Sequence, residues 1–240
     1  MAFLRTSLAR LRGPHLVPLV PEAELGEARW LPGLAVLTGA LLYATLPDRY
    51  VAGPTLLVNT LRWFVVGMTI ALMVPLVLTA PRRRLVHSVP RRTAALALIA
   101  VVSAANGASI VVLVHLLVTG HHVNGHELII AAIHIWCTNV IAFALWFWQL
   151  DSGGPVARRQ KAEVTPDFLF PQMAAPEFAP PNWQPRFLDY LYLSFTNATA
   201  FSPTDTMPLT TWAKMLMLAE SGASLLLLVM VAARAVNILQ

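Results

Sequence analysis

Two long stretches of the chain, residues 93–119 and residues 128–150, contain no Asp, Glu, Lys or Arg. Each is at least as long as the roughly 20 residues that a helix needs to cross the hydrocarbon core of a bilayer. In lipid, a spanning segment must satisfy its own backbone hydrogen bonds, and a helix does so within one segment. Both stretches therefore predict membrane-spanning helices.

The composition extends this prediction to the whole chain. Hydrophobic residues make up 57% of the 240 residues, charged residues make up 12%, and the mean hydropathy is +0.63. A soluble domain carries about 25% charged residues, so this chain has too little charge to cover a water-facing surface. The composition therefore argues against a soluble enzyme and against a nucleic-acid-binding domain. The net charge of +5 is better explained by arginines that mark topology beside anionic lipid.

We expect an all-α membrane protein with about five transmembrane helices and a re-entrant, pore-type half-helix. The chain divides into a basic amphipathic segment (1–30), a three-helix transmembrane region (31–125) and a channel-like module (126–240). The expected spans cover 31–46, 54–79, 93–119, 128–150 and 210–239. In the channel-like module, 128–150 is the outer helix, 151–186 a loop, 187–208 a pore helix with a filter-like turn, and 210–239 the inner helix.

The loop 151–186 is rich in proline, which at this density forbids helix and favours an extended path. Disordered linkers lack aromatic residues, whereas this loop contains four, namely Phe168, Phe170, Phe178 and Trp183. We therefore expect the loop to pack on the membrane-proximal face of the protein. The alternative is a merely solvated loop.

Residues 194–214 read SFTNATAFSPTDTMPLTTWAK. This stretch resembles the pore loop of potassium channels, S-x-x-T-x-T-T-V-G-Y-G-D-x-x-P-x-T-x-W-x-R. In this resemblance, Thr199 matches a threonine at the start of the filter and Asp205 matches the aspartate that closes it. The residues that match the opening of the inner helix are Pro208, Thr210, Trp212 and Lys214. The chain also resembles a family of bacterial multi-pass membrane proteins that share the block FTNATAFSPTD, from which no activity can be transferred.

The filter itself departs from the potassium-channel pattern. Ser202 and Thr204 occupy the two glycine positions, and Pro203 occupies the tyrosine position. Stacked carbonyl rings need residues at positive φ, whereas proline fixes φ and restricts the residue before it. The pattern predicts instead a pore lined by hydroxyl groups, with Asp205 carboxylates at its mouth and weak selectivity. The candidate pore-lining residues are Thr196, Thr199, Ser202, Pro203, Thr204 and Asp205.

Two residues of the inner helix are further candidates. Glu220 lies in the middle of an apolar span, where a carboxylate is expensive and indicates a function. It could face a water-filled pathway or bond a neighbouring helix while protonated. Gly222 could be a hinge or a close packing contact, and small residues favour packing between membrane helices.

No metal or cofactor is expected. His121, His122 and His126 have a spacing similar to that of metal ligands, but no cysteine or dense set of carboxylates accompanies them. An interfacial polar turn is the better interpretation. No nucleophile and base occur in a context that predicts catalysis, so we do not expect an enzyme.

The orientation of the channel-like module is open. Thirteen basic residues lie in the N-terminal segment, in the loop after the second span and in the loop 151–186, and only Arg49 lies in the opposite loops. The positive-inside rule places the thirteen in the cytoplasm, whereas potassium-channel topology places the loop 151–186 outside. The alternatives are an inverted pore loop, a full crossing by 187–202, or a failure of the charge rule.

The resemblance and the hydroxyl groups of the filter-like turn together predict passive, weakly selective cation conduction by a homotetramer in a bacterial inner membrane. Its partners would be lipid, inorganic ions and its own copies, without nucleic acid. One alternative is a non-conducting scaffold or accessory protein with a channel-like fold, whose axis Phe201 or Met217 would plug. A second is a small transporter that uses Glu220, which the absence of an internal repeat disfavours.

Overall fold

The computed structural model describes residues 30–51, 57–78, 89–119, 125–160, 165–199 and 205–238. Most of this part of the chain is helical, and two short strands pair across it. The helices are α1 (Trp30–Ala44), α2 (Val58–Leu78), α3 (Val89–Val118), α4 (Gly125–Leu150), α5 (Pro155–Gln160), α6 (Pro171–Ala174), α7 (Phe187–Thr199) and α8 (Thr211–Ile238). The strands are β1 (Phe168–Leu169) and β2 (Met207–Pro208).

Three helices in the described part of the chain are long and apolar enough to cross a membrane. They cover Arg92–Val118, Gly125–Gly153 and Thr211–Ala233, which lie in α3, at α4 and in α8. A shorter apolar helix covers Trp30–Ala44. The mostly helical fold expected from the sequence is thus confirmed, and three of the expected spans are helices long and apolar enough to cross a membrane, while the count of about five is not confirmed. The segment 1–30 lies outside the described residues except for Trp30.

Helix α4 is the centre of the bundle. It packs against α1, α3, α7 and α8, and 56% of its apolar span is buried inside the chain, compared with 22% for α8. The difference follows from their neighbours, because α4 has helices around it and α8 packs on one side only. We call the end of the bundle where α4 finishes the loop end, and the end where α4 begins the opposite end.

At the opposite end, the turn after α1 is tied to the other helices by arginines. The Arg62 guanidinium on α2 donates to the Leu46 carbonyl over 2.6 Å and lies 2.7 Å from the Asp48 carboxylate. Arg49 pairs with Glu127 in the first turn of α4 at 3.2 Å. These contacts fix how α1, α2 and α4 meet at this end.

The loop 151–186 packs on the loop end of the bundle, as its aromatic residues predicted. Phe168 and Phe170 are buried among Phe147, Tyr190 and Leu193, while Phe178 is 86% exposed. The expectation that prolines forbid helix in this loop is wrong at α5, at α6 and at a 3₁₀ turn, Pro176–Phe178, because each begins at a proline. Proline is tolerated in the first turn of a helix, because the N–H group that it lacks would have no hydrogen-bond partner within the helix there.

Candidate functional site

Helices α7 and α8 begin at the same end of the bundle and run in the same direction. The Phe187 ring contacts Trp148 near the end of α4, whereas the Phe195 ring contacts Trp136, three turns deeper. Helix α8 likewise begins beside the loop, where the Trp212 indole donates to Asp167, and reaches Asn139 of α4 at Ser224. The end of α7 at Thr199 therefore lies partway along the bundle, whereas Met207 lies at its loop end.

The two strands anchor the segment that precedes α8. Strand β1 of the loop pairs antiparallel with β2, with Phe168 opposite Pro208 and Leu169 opposite Met207. The Leu209 amide donates to the Asp167 carbonyl over 2.8 Å and extends the pairing by one bond. The Phe168 ring packs edge-on against Trp212 at 5.9 Å. The segment that leads into α8 is thus anchored to the loop.

A second anchor holds the start of α7. Asp151 is fully buried directly after α4, and its carboxylate accepts hydrogen bonds from the Tyr190 hydroxyl and from the Asp167 amide, the latter over 2.9 Å. The Arg158 guanidinium lies 3.9 Å from this carboxylate and 5.0 Å from the centre of the Tyr190 ring. It also donates to the Asp151 and Trp148 carbonyls over 2.8 and 2.9 Å. Asp151 therefore joins α4, the loop and α7 at one point.

Asp167 completes this polar cluster. Its carboxylate accepts from the Ser152 amide over 2.8 Å and from the Trp212 indole over 2.9 Å. Ser152 has a φ of 55°, a left-handed conformation that costs a non-glycine residue energy unless its surroundings fix it. The Ser152 amide donates to Asp167 and the Ser152 hydroxyl donates to Asp151, and these two hydrogen bonds hold Ser152 in this conformation.

Deeper in the bundle, Glu220 lies at the junction of α4, α7 and α8. Its side chain is fully buried. One carboxylate oxygen contacts the Ser194 hydroxyl, and the other accepts from the Asn197 amide group over 2.7 Å. The Ser194 hydroxyl also lies 2.7 Å from the Val140 carbonyl of α4. The Glu220 carboxyl group thus bonds a neighbouring helix, α7, within one chain, which agrees with the second of its two interpretations.

The polar contacts extend around Glu220 in both directions. The Asn139 amide group of α4 donates to the Ser224 hydroxyl over 3.2 Å. Asn197 also donates to the Met217 carbonyl over 3.0 Å and accepts from the Ser221 hydroxyl over 3.0 Å. Every polar side chain of this cluster therefore has a partner, so the end of α7 is fixed against both α4 and α8.

Three of the predicted pore-lining residues, Thr196, Thr199 and Asp205, lie in the described part of the chain. Thr196 is half-buried and Thr199 is exposed on α7, and their hydroxyls donate to the Tyr192 and Phe195 carbonyls over 2.9 and 2.8 Å. Asp205 is exposed at the loop end, where its carboxylate accepts from Thr206 over 3.4 Å. Ser202, Pro203 and Thr204 lie outside the described residues.

Gly222 lies on the face of α8 that is turned away from the rest of the chain. A Cβ atom added at Gly222 would meet no atom of the described residues within 4 Å. The same face carries exposed Leu218, Leu225 and Val229. Among the described residues Gly222 is therefore not a packing contact.

Five residues of these clusters were not candidates from the sequence: Asp151, Asp167, Tyr190, Ser194 and Asn197. A signal for three of them was present, because Tyr190, Ser194 and Asn197 are spaced by four and three residues and so share one face of α7. Asp151 could have been suspected as the acid that directly follows a long apolar helix.

No group of three or more His, Cys, Asp or Glu that could hold a metal ion occurs among the described residues. His121 and His122 of the predicted polar turn lie outside them. No protein-family model, no curated protein and no solved structure matches the chain.

Proposed function

We propose that the chain is the subunit of a passive, weakly selective cation channel, with α4 as outer helix, α7 as pore helix and α8 as inner helix. The observation that supports this most is the shared direction of α7 and α8, with the chain back at the loop end at β2. Two consecutive helices that enter a bilayer from the same side require a re-entrant segment between them. Such a segment is tolerated in lipid only where it is buried in protein or lines water.

The length of α7 fits a re-entrant helix. Its 13 residues extend over about 20 Å, which is less than the hydrocarbon core of about 30 Å. A helix that ends partway through the bilayer directs the partial negative charge of its last carbonyls into the interior. This charge favours a cation near residue 200, where the filter-like turn begins.

The threonine hydroxyls suit the same role. Because Thr196 and Thr199 donate their protons to carbonyls of their own helix, their oxygens remain as acceptors. Oxygen lone pairs and carboxylate rings are the groups with which channels attract cations. Asp205, exposed at the loop end, would supply the carboxylate ring at the mouth of the pore.

One chain supplies one re-entrant segment, so we propose a homotetramer around a common axis, in the inner membrane of a bacterium. The face of α8 at Gly222 meets no neighbour among the described residues and would face the axis or the next subunit. Ser202, Pro203 and Thr204 lack the glycines of a potassium filter, so the proposed pore passes partly hydrated ions and distinguishes potassium from sodium weakly.

One observation favours the alternative, a non-conducting scaffold with a channel-like fold. The outward face of α8 is apolar over Leu218, Leu225 and Val229, and Glu220 points the other way, into the chain. If that face lined the axis, a narrow apolar path could exclude water. The plug considered for Met217 is less favoured, since Met217 packs beside the buried cluster of Phe147 and Leu193.

Ion flux into liposomes tests the proposal. Purified protein is reconstituted, and the uptake of potassium or sodium down a gradient is followed with an ion-sensitive dye. We expect uptake of both ions with the natural chain, a clear loss with Asp205→Asn, and no loss with Glu177→Gln, which removes another exposed acid of the loop. Uptake equal to that of empty liposomes would favour the scaffold.

A further inference from the structure

We propose that Glu220 and Ser194 form a buried proton-binding site that controls how the end of α7 is held between α4 and α8. The site itself is independent of the proposed function. Its effect on conduction rests on that function, because the end of α7 leads directly into the filter-like turn.

The number of hydrogen-bond donors at Ser194 indicates that Glu220 carries a proton. The Ser194 hydroxyl lies within hydrogen-bond distance of two acceptors, the Val140 carbonyl at 2.7 Å and one oxygen of Glu220. A hydroxyl has a single proton to donate, but it can accept as well. When it donates to Val140, its contact with Glu220 requires a proton on the carboxyl group. The arrangement is complete when Glu220 is a neutral acid that donates to Ser194 and accepts from Asn197.

Among the described residues, no charged group contacts Glu220 to balance its ionised form. The groups that face it are Ser194 and Asn197 from α7, the Val140 carbonyl and Asn139 from α4, and Ser221 and Ser224 from α8 itself. None of these ionises near neutral pH. No salt bridge among the described residues reaches Glu220.

The titratable side chains on the neighbouring helices have other contacts or lie elsewhere. His134 of α4 bonds the Ile130 carbonyl of its own helix at 2.8 Å, and Cys137 is half-buried on the same helix. On α7, Asp189 accepts from the Arg186 amide and Tyr190 donates to Asp151. Lys214 of α8 is exposed at the loop end. Glu220 is thus the acid that a change of pH would affect at this junction.

Loss of the proton would rearrange the contacts. Ser194 would turn its proton to the Glu220 anion and lose its bond to Val140 of α4. A buried, unpaired carboxylate is costly, and water would relieve that cost if α7 moved away from α8. Asn197, which bonds Glu220, Met217 and Ser221, lies two residues before the end of α7. Deprotonation would therefore loosen the start of the filter-like turn.

Infrared difference spectroscopy tests the proton directly. Spectra of reconstituted protein are recorded from roughly pH 5 to pH 10, a range that includes the ionisation of documented buried glutamates. We expect the C=O band of a protonated carboxylic acid at low pH and its loss at high pH, in the natural chain and in Glu177→Gln. Glu220→Gln should lack this band. Its absence from the natural chain, its persistence across the range, or its survival in Glu220→Gln would overturn the inference.

A spin label at the end of α7 tests the mechanical consequence. It is attached to Thr199→Cys in a Cys137→Ser background, which removes the chain's single native cysteine. In the labelled chain that keeps Glu220, we expect the label to gain mobility at high pH. With Glu220→Gln, whose amide can donate to Ser194 and accept from Asn197, the label should stay in its low-pH state. Mobility that does not change with pH in the labelled chain that keeps Glu220 would overturn the coupling.

Neither readout depends on conduction, so the two proposals can fail separately. If the infrared band and the spin label behave as expected and no variant conducts, the proton site stands and the channel proposal fails. If the protein conducts, we expect its flux to depend on pH and Glu220→Gln to lose that dependence. A pH dependence retained by Glu220→Gln would contradict control of the turn by this site.

Discussion

A buried acid needs a complete set of partners, and Asp151 shows how this chain provides them. Its carboxylate accepts from Tyr190, Ser152 and the Asp167 amide, and Arg158 lies close by. An acceptor that loses its donor while buried costs the free energy of its desolvation. Removing a side chain that donates to Asp151 should therefore lower the free energy of unfolding.

Tyr190→Phe tests this at one atom. The substitution removes the hydroxyl that donates to Asp151 and leaves the ring in place, so we expect a loss of about 1–3 kcal/mol in the free energy of unfolding. Thermal unfolding in detergent measures it. Tyr192→Phe on the same helix is the control, because Tyr192 is 56% exposed and should change little. Equal effects of the two substitutions would contradict the role given to Asp151.

The loop offers a second matched pair of residues. Phe168 is fully buried and Phe178 is 86% exposed. We expect Phe168→Ala to cost about 3–5 kcal/mol, through lost burial and the cavity left behind. Phe178→Ala should stay within about 0.5 kcal/mol, as surface substitutions usually do. Unfolding midpoints in denaturant compare them, and a small effect of Phe168→Ala would mean that the loop does not pack as described.

At the scale of elements, the helices could be predicted well from the sequence. Periods, charges and prolines place α4, α7 and α8 within a few residues of their observed bounds. The pairing of β1 with β2 could not be predicted, because each strand has two residues and no pattern of its own. Its register depends on Asp167, Leu209 and Trp212, which become neighbours only after folding.

The contacts of Glu220 could not be predicted for a similar reason. The sequence shows an acid in an apolar helix, which indicates function at that depth, but not which way the side chain points. Ser194 and Asn139 lie 26 and 81 residues away, and many polar residues of α4 and α7 could have been its partners. The direction of the Glu220 side chain depends on how α8 is rotated about its axis relative to α4, and this rotation cannot be predicted from a single sequence.

The open face of α8 gives a prediction about assembly. A Cβ atom added at Gly222 would meet no atom of the described residues within 4 Å, and the same holds for Gly107 on α3. If α8 faces neighbouring subunits, Gly222→Leu should lower the tetramer fraction in native mass measurements. Gly107→Leu should leave the tetramer fraction unchanged. Equal tetramer fractions for both variants would argue that the α8 face contacts lipid instead.

At the scale of the whole molecule, the arrangement of α7 and α8 narrows the topological alternatives. A full crossing by 187–202 does not fit a chain that is back beside β1 at Met207. The loop 151–186, which carries four of the thirteen basic residues, lies at the same end as the start of α8. The proposed pore loop is therefore either inverted relative to potassium channels or an exception to the positive-inside rule.

The proposed pore is tested most directly by bi-ionic reversal potentials in planar bilayers, with potassium on one side and sodium on the other. We predict single-channel currents carried by cations and a reversal potential near zero, because hydroxyls and Asp205 would handle partly hydrated ions. Asp205→Asn should lower the cation conductance, and Glu177→Gln should not. A strong preference for potassium would contradict the proposed filter, a preference for anions would contradict the role of Asp205, and the absence of channel currents would contradict conduction itself.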